Sequence, residues 1–148
     1  DGLKEPSSNE AYKTIEHRAN LYYNGNIQAY LKDETIRKNI RDNANKTLLT
    51  DKQAEHMKNS DRYIEGKSYL NISNDEVQSI VNKYAGTGYI ERDRKGNFAS
   101  KERIILDRVV GVNINNTTSV ETSTRIVKIH YRKTGVHIVP TLEGSDKL

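Results

Sequence analysis

Between Glu121 and Glu143 the sequence has no acidic residue, yet it carries Arg125, Lys128, Arg132 and Lys133 together with His130 and His137. That combination suits a phosphodiester. Cleavage of RNA by its own 2′-hydroxyl needs a base for that proton, an acid for the departing 5′-oxygen, and cations for the charge on the phosphorane-like transition state. Histidine can act as base or acid because it titrates near neutrality, whereas lysine and arginine stay charged. The route needs no metal and no cofactor. The sequence also lacks a metal-ligand pattern: it has no cysteine and no His-Glu-x-x-His, and its acids are scattered.

The elements around these residues decide whether they can meet. In a strand over Thr124–Tyr131, Val127, Ile129 and Tyr131 share one face and Lys128 and His130 the other. An even-numbered loop at Lys133-Thr134-Gly135 would pair Tyr131 with Val136 or Ile138 and put His137 on the His130 face, with Arg132 nearby. An odd loop would place His137 beside Tyr131. The even loop is expected, because it separates polar from apolar side chains and a one-residue slip would bury His137 among Ile and Val. His17, beside Arg18 on the first helix, reads as a surface residue. Composition leaves His56 undecided, with Lys58 and Arg62 close to it in sequence.

Further elements follow from periodicity. Tyr12, Ile15, Ala19 and Tyr22 mark a helix from near Asn9 to Tyr23, ended by Asn24-Gly25-Asn26. A second helix is predicted from Ile27 to Thr47, carrying Ile27, Tyr30, Leu31, Ile36 and Ile40. Residues 51–66 read as a loop with a short helical turn. Ser73-Asn74-Asp75-Glu76 is a capping box, and Val77, Ile80, Val81 and Tyr84 follow at helical spacing, with Gly86-Thr87-Gly88 as the stop. Strands are expected at 88–91, 103–106, 109–114, 121–131 and 136–140. The fold class is α+β: N-terminal helices, then a helix packed on an antiparallel β-meander.

Composition bounds the rest. The 148 residues are 34% hydrophobic and 30% charged, with a formal net charge of +4. Mean hydropathy is −0.86 and the pI about 9.2. This fits one ordinary domain, or a small domain with a helical extension, and excludes a large multidomain enzyme. No apolar run is long enough for a transmembrane helix, so no membrane partner is expected. The start at Asp1, without an initiator Met or a signal-peptide layout, reads as that of an excised fragment.

Three separated motifs, Lys52-Gln53-Ala54-Glu55-His56, the run from Tyr63 to Leu70 and the run from Val81 to Gly88, together with the hairpin Ile129 to Pro140, carry a family resemblance. In this order they resemble the bacterial polymorphic toxin type-50 domain, over about residues 51–142. The resemblance implies a branch of the barnase, EndoU, colicin and RelE-like ribonucleases, with a helix-then-meander fold and metal-independent RNA cleavage. It implies a place at the C-terminus of a secreted toxin or of a phage minor head protein, acting in the bacterial cytoplasm after delivery. Residues 51–148 would then form the toxin domain, and residues 1–50 a helical lead-in, read as an oligomerisation arm through its Tyr and Ile stripes.

Carried over by position, the family's active-site residues are His56, Lys67, Ser68, His130 and His137. The expected roles are His130 or His56 as base, His137 as acid, Ser68 positioning the scissile phosphate, and Lys67 with Arg132 or Lys128 stabilising the transition state. Lys128, Arg132, Lys133 and Arg125 are the expected substrate-binding residues. The expected partner is RNA, with DNA as the variant and a cognate immunity protein as neutraliser. The hairpin departs from the family at position 132, where Arg stands in place of a serine. That departure motivates the alternative expectation, a nucleic-acid-binding virion protein whose nuclease fold has lost its chemistry.

Overall fold

Residues 14–142 are described by a computed structural model. The chain begins with α1 (Ile15–Tyr23), α2 (Ile27–Lys32), α3 (Glu34–Asn43) and the short α4 (Thr50–Ala54). Then follow β1 (Tyr69–Leu70), α5 (Asn74–Tyr84), β2 (Tyr89–Arg92), β3 (Phe98–Ile105), β4 (Gly111–Ile114), β5 (Glu121–Thr124), β6 (Ile126–Arg132) and β7 (Gly135–Thr141). The architecture is α+β, as expected.

Side chains set the helix boundaries. Thr14 caps α1 by accepting from the His17 N–H, and Asn26 caps α2 by accepting from Ala29. Tyr12 and the expected start near Asn9 lie outside the described residues. The single helix expected over 27–47 is in fact two, broken at Asp33. The Asp33 carboxylate is held from outside the helix, by the Tyr23 hydroxyl at 2.7 Å and by Arg92 from β2. The capping box of α5 forms as expected: Glu76 N–H donates to Ser73 Oγ, and Ser73 N–H to the Glu76 carboxylate.

The three N-terminal helices pack on the body of the fold. Arg37 is fully buried, donating to the Gly88 carbonyl at 2.7 Å, the Tyr30 carbonyl at 2.6 Å and the Tyr23 hydroxyl at 2.7 Å. Tyr22 accepts from the Ile105 N–H of β3, and Arg41 donates to the Gly86 carbonyl. Tyr22 and Tyr30 of the N-terminal apolar stripes are therefore buried within the chain; Ile15, Ile27 and Leu31 are the apolar side chains these helices leave exposed.

The strands form two antiparallel sheets, β2-β3-β6-β7 and β1-β4-β5. This modifies the expected meander: the chain leaves the larger sheet after β3, makes the β4–β5 hairpin beside β1, and returns at β6. The run 121–131 is accordingly two strands that meet at Arg125, where the Thr124 hydroxyl donates to the Thr141 carbonyl and accepts from the Ile126 N–H. One face of the larger sheet, bearing Ile90, Ile104, Val127, Ile129, Val136 and Ile138, joins Val77, Ile80, Val81 and Tyr84 of α5 in the core.

Candidate active site

The β6–β7 hairpin closes through the two-residue loop Lys133-Thr134, so Arg132 faces Gly135, Tyr131 faces Val136 and His130 faces His137. This is the even loop. It puts both histidines on the sheet face opposite the core, and their rings stack with centroids 4.7 Å apart at 28°.

A third histidine, His56, joins them from the turn that follows α4. Residues 47–49 run alongside β7: the Val136 N–H donates to the Thr47 carbonyl, and the Leu49 N–H to the Val136 carbonyl. Gln53 then extends this pairing with its side chain. Its amide nitrogen donates to the Ile138 carbonyl at 2.9 Å, and its amide oxygen accepts from the Ile138 N–H at 2.7 Å. Two positions further along this outer edge comes Pro140, which has no N–H to satisfy. With Gln53 locked, the next turn of chain sets the His56 ring beside His137, centroids 5.9 Å apart at 13°. Gly135 makes the approach of residues 47–49 feasible, since a Cβ there would lie 2.2 Å from the Thr47 carbonyl oxygen.

The result is a row, His56–His137–His130, drawn from three chain segments. His56 and His137 are buried, at 8% and 4% exposure, and His130 is the half-exposed end of the row. The Nδ1 of His56 lies 3.2 Å from the Ser68 carbonyl. A carbonyl only accepts, so Nδ1 carries the proton and the Nε2 lone pair is left available. The Nδ1 of His137 is buried without a hydrogen-bond partner.

Electrostatics keep the row neutral. Burial, then the neighbouring His137, Lys101 and Lys128, pushes His130 down to about 3. Burial, then His56, Lys52 and Arg132, pushes His137 down to about 4. Burial, opposed by the Ser68 carbonyl and assisted by Lys67, lowers His56 as well. Each shift has the same origin: imidazolium is disfavoured where water is scarce and cations surround it.

The expected residues distribute unevenly around the row. Ser68 is tied to His56 by its carbonyl, while its hydroxyl accepts from the Ile114 N–H at 2.8 Å; Lys67 beside it is exposed. Arg132 is exposed and acts on His137. Lys133 is exposed in the turn, its carbonyl accepting from Asn45. Lys128 shares the histidine face but its ammonium lies 2.9 Å from the Glu91 carboxylate. The histidine face therefore does carry a carboxylate: the acid arrives from β2, which the acid-free segment between Glu121 and Glu143 could not reveal. Arg125 is not brought to the row. It immediately precedes β6, donating to the Leu106 carbonyl, about 17 Å along the strand from His130. His17 is exposed near Thr14, as its surface reading requires.

Sequence reasoning missed two cations. Lys101 of β3 directly faces His130, and Lys52 acts on His137 from α4. Lys101 had no sequence signal beyond its place in a strand, whereas Lys52 lies one helical turn before His56. Among the described residues no group of three or more His, Asp or Glu could hold a metal ion. No helix among them is long and apolar enough to cross a membrane.

Comparison with curated proteins found no match. The family profile described as bacterial toxin 50 matches residues 48–140. That span covers the three histidines and nearly all that positions them: Leu48 and Leu49 of the segment pairing with β7, Gln53 and His56, the Ser68 carbonyl, and the hairpin with His130 and His137. By this match over more than half its length, the chain belongs to the bacterial toxin 50 family.

Proposed function

We propose that this toxin domain is a metal-independent ribonuclease, delivered by a secreted or phage-borne parent protein and acting on RNA in the cytoplasm of the recipient bacterium. The observation that carries the reading is the row of three histidines, with Lys52, Lys67, Lys101 and Arg132 around it. In the reaction His56 takes the 2′-hydroxyl proton on Nε2, its Nδ1–H being anchored on the Ser68 carbonyl. The 2′-oxygen–phosphorus bond forms and the phosphorus–5′-oxygen bond breaks. His137 gives its proton to the departing oxygen. The 5.9 Å between these two rings lets nitrogens on each reach different oxygens of one phosphate.

The neutral row suits the base immediately. For the acid, the substrate supplies what the free site lacks: a phosphodiester anion among the cations offsets their field and raises the affinity of His137 for a proton. Lys67 and Arg132 then stabilise the transition-state charge, and neutral His130 donates a hydrogen bond at the entrance. The experiment is incubation of the full chain with total RNA in EDTA. Cleavage that is lost in His137→Ala and His56→Ala supports the reading. Absence of cleavage, or cleavage unaffected by both substitutions, refutes it.

A further inference from the structure

Between Ile90/Glu102 and Arg92/Phe98, β2 advances two residues while β3 advances four, so β3 bulges over Ala99, Ser100 and Lys101. Inside this bulge Ser100 adopts a left-handed conformation, φ +61°, in mid-strand. A serine in that region is strained, and strain of this kind persists only where surrounding structure enforces it. On its other side β3 keeps full register, with Lys101 facing His130 and Glu102 facing Ile129. The bulge therefore detaches Lys101 from β2 while holding it against β6, the device by which sheets re-aim a side chain.

What it is aimed at is the open end of the histidine row. His130 is the half-exposed member and faces Lys101 across the β3–β6 ladder; Lys101, itself half-buried, also adjoins a neighbouring cleft of about 510 Å³ lined by Asp33, Tyr89, Glu91, Arg92 and Ala99. The two carboxylates of that cleft are engaged elsewhere, Glu91 by Lys128 and Asp33 by Arg92. Lys101 thus faces the entrance without a carboxylate of its own, although its charge is felt by His130.

We propose that Lys101, presented by the Ser100 bulge, is a phosphate-contacting cation of this site, binding a nonbridging oxygen of the RNA phosphodiester at the His130 end of the row. It transfers no proton; it stabilises the negative charge that grows on the phosphoryl oxygens while the 2′-oxygen bond forms and the 5′-oxygen bond breaks. This assignment deepens the ribonuclease reading and rests on it for the catalytic part, while the binding part can be tested separately.

Two measurements on the full chain test it. In the first, single-turnover cleavage of an RNA oligonucleotide is compared for wild type, Lys101→Met and Lys101→Arg. The expected result is a loss of about 10²-fold in Lys101→Met, as for removal of one transition-state donor, with most of the rate kept in Lys101→Arg. Ser100→Gly, which relieves the strain, should retain the rate. Ser100→Val should lower it, and adding Ser100→Val to Lys101→Met should cost nothing further. In the second, binding of an oligonucleotide with a 2′-deoxy residue at the cleavage position is measured against salt. Lys101→Met should reduce the slope of log K against log salt by about one. If wild type cleaves RNA and Lys101→Met cleaves it equally well, the assignment is overturned and the ribonuclease reading stands. If wild type does not cleave, the ribonuclease reading fails, and an unchanged salt slope in Lys101→Met overturns the assignment by itself.

Discussion

His130 and His137 face each other across the β6–β7 ladder with ring centroids 4.7 Å apart, so neither can charge without burdening the other. Burial, with His137 the first of the neighbouring charges, holds His130 at about 3 in the folded state, and burial, with His56 and Lys52, holds His137 at about 4. In the unfolded chain both titrate near 6.5. The unfolded state therefore binds more protons throughout that interval, and folding stability is full above pH 6.5 and falls as pH drops toward 4. Urea midpoints measured at pH 7.5, 6.5, 5.5 and 4.5 should decline, and the decline between 6.5 and 5.5 should flatten in the doubly substituted His130→Gln/His137→Gln chain. Equal slopes in the two proteins would assign the pH dependence to other groups.

Gln53 stands in for a strand neighbour of β7. Replacing it by Leu, similar in size, leaves the Ile138 N–H and carbonyl without partners in a buried place, at a cost of about 3 kcal/mol. The same substitution frees the turn that sets His56 against His137. Loss of stability together with a changed His56 ring-proton shift in NMR is the expected outcome. A stable Gln53→Leu chain with an unshifted His56 would mean that the 47–49 pairing alone holds α4 in place.

Arg37 ties the N-terminal helices to the body through Gly88, Tyr30 and Tyr23, and its guanidinium lies 3.6 Å from the centre of the Tyr30 ring. Arg37→Ala removes these three hydrogen bonds and a fourth, to the Glu34 carboxylate at 3.4 Å, and opens a buried space, and should cost about 3 kcal/mol or more in chemical denaturation. By the same contacts, a chain truncated to residues 48–148 should unfold at lower urea than the full chain. A truncated chain of undiminished stability would show these helices to be a dispensable appendage, a spacer rather than a part of the folding unit.

Gly135 should tolerate no side chain. Its φ is +148° and a Cβ would lie 2.2 Å from the Thr47 carbonyl oxygen, which is fixed backbone. Gly135→Ala should push residues 47–49 off β7, lowering the melting temperature by several degrees and weakening amide-exchange protection at Leu49 and Val136. Unaltered protection at both amides would contradict this.

Local chemistry made some of this fold legible and distant partners hid the rest. The capping box at Ser73–Glu76 and the alternation in β6 are short-range signals, so α5 and the register of the final hairpin follow directly from the residues. Asp33 breaks a helix because Tyr23 and Arg92 take its carboxylate, and Arg92 lies in a strand far along the chain. The split at Arg125 depends on two sheets competing for one run of residues, which alternation cannot show. The two-residue β1 is too short for any periodicity. In the site, His130 and His137 were readable from pattern, but His56 came through family resemblance alone, because composition could not say that Gln53 would dock its helix on β7. Glu91 and Lys101 were invisible for the same reason: each becomes meaningful through a cross-strand neighbour.

Proton transfer by the histidine row during attack by a 2′-hydroxyl leaves a distinctive product, read by end-group analysis of a DNA oligonucleotide carrying a single ribonucleotide and incubated with the full chain in EDTA. Cleavage is expected 3′ of the ribonucleotide, leaving a 2′,3′-cyclic phosphate and a 5′-hydroxyl, with no cleavage of the all-deoxy strand. A 5′-phosphate product, or equal cleavage of the all-deoxy strand, would contradict it.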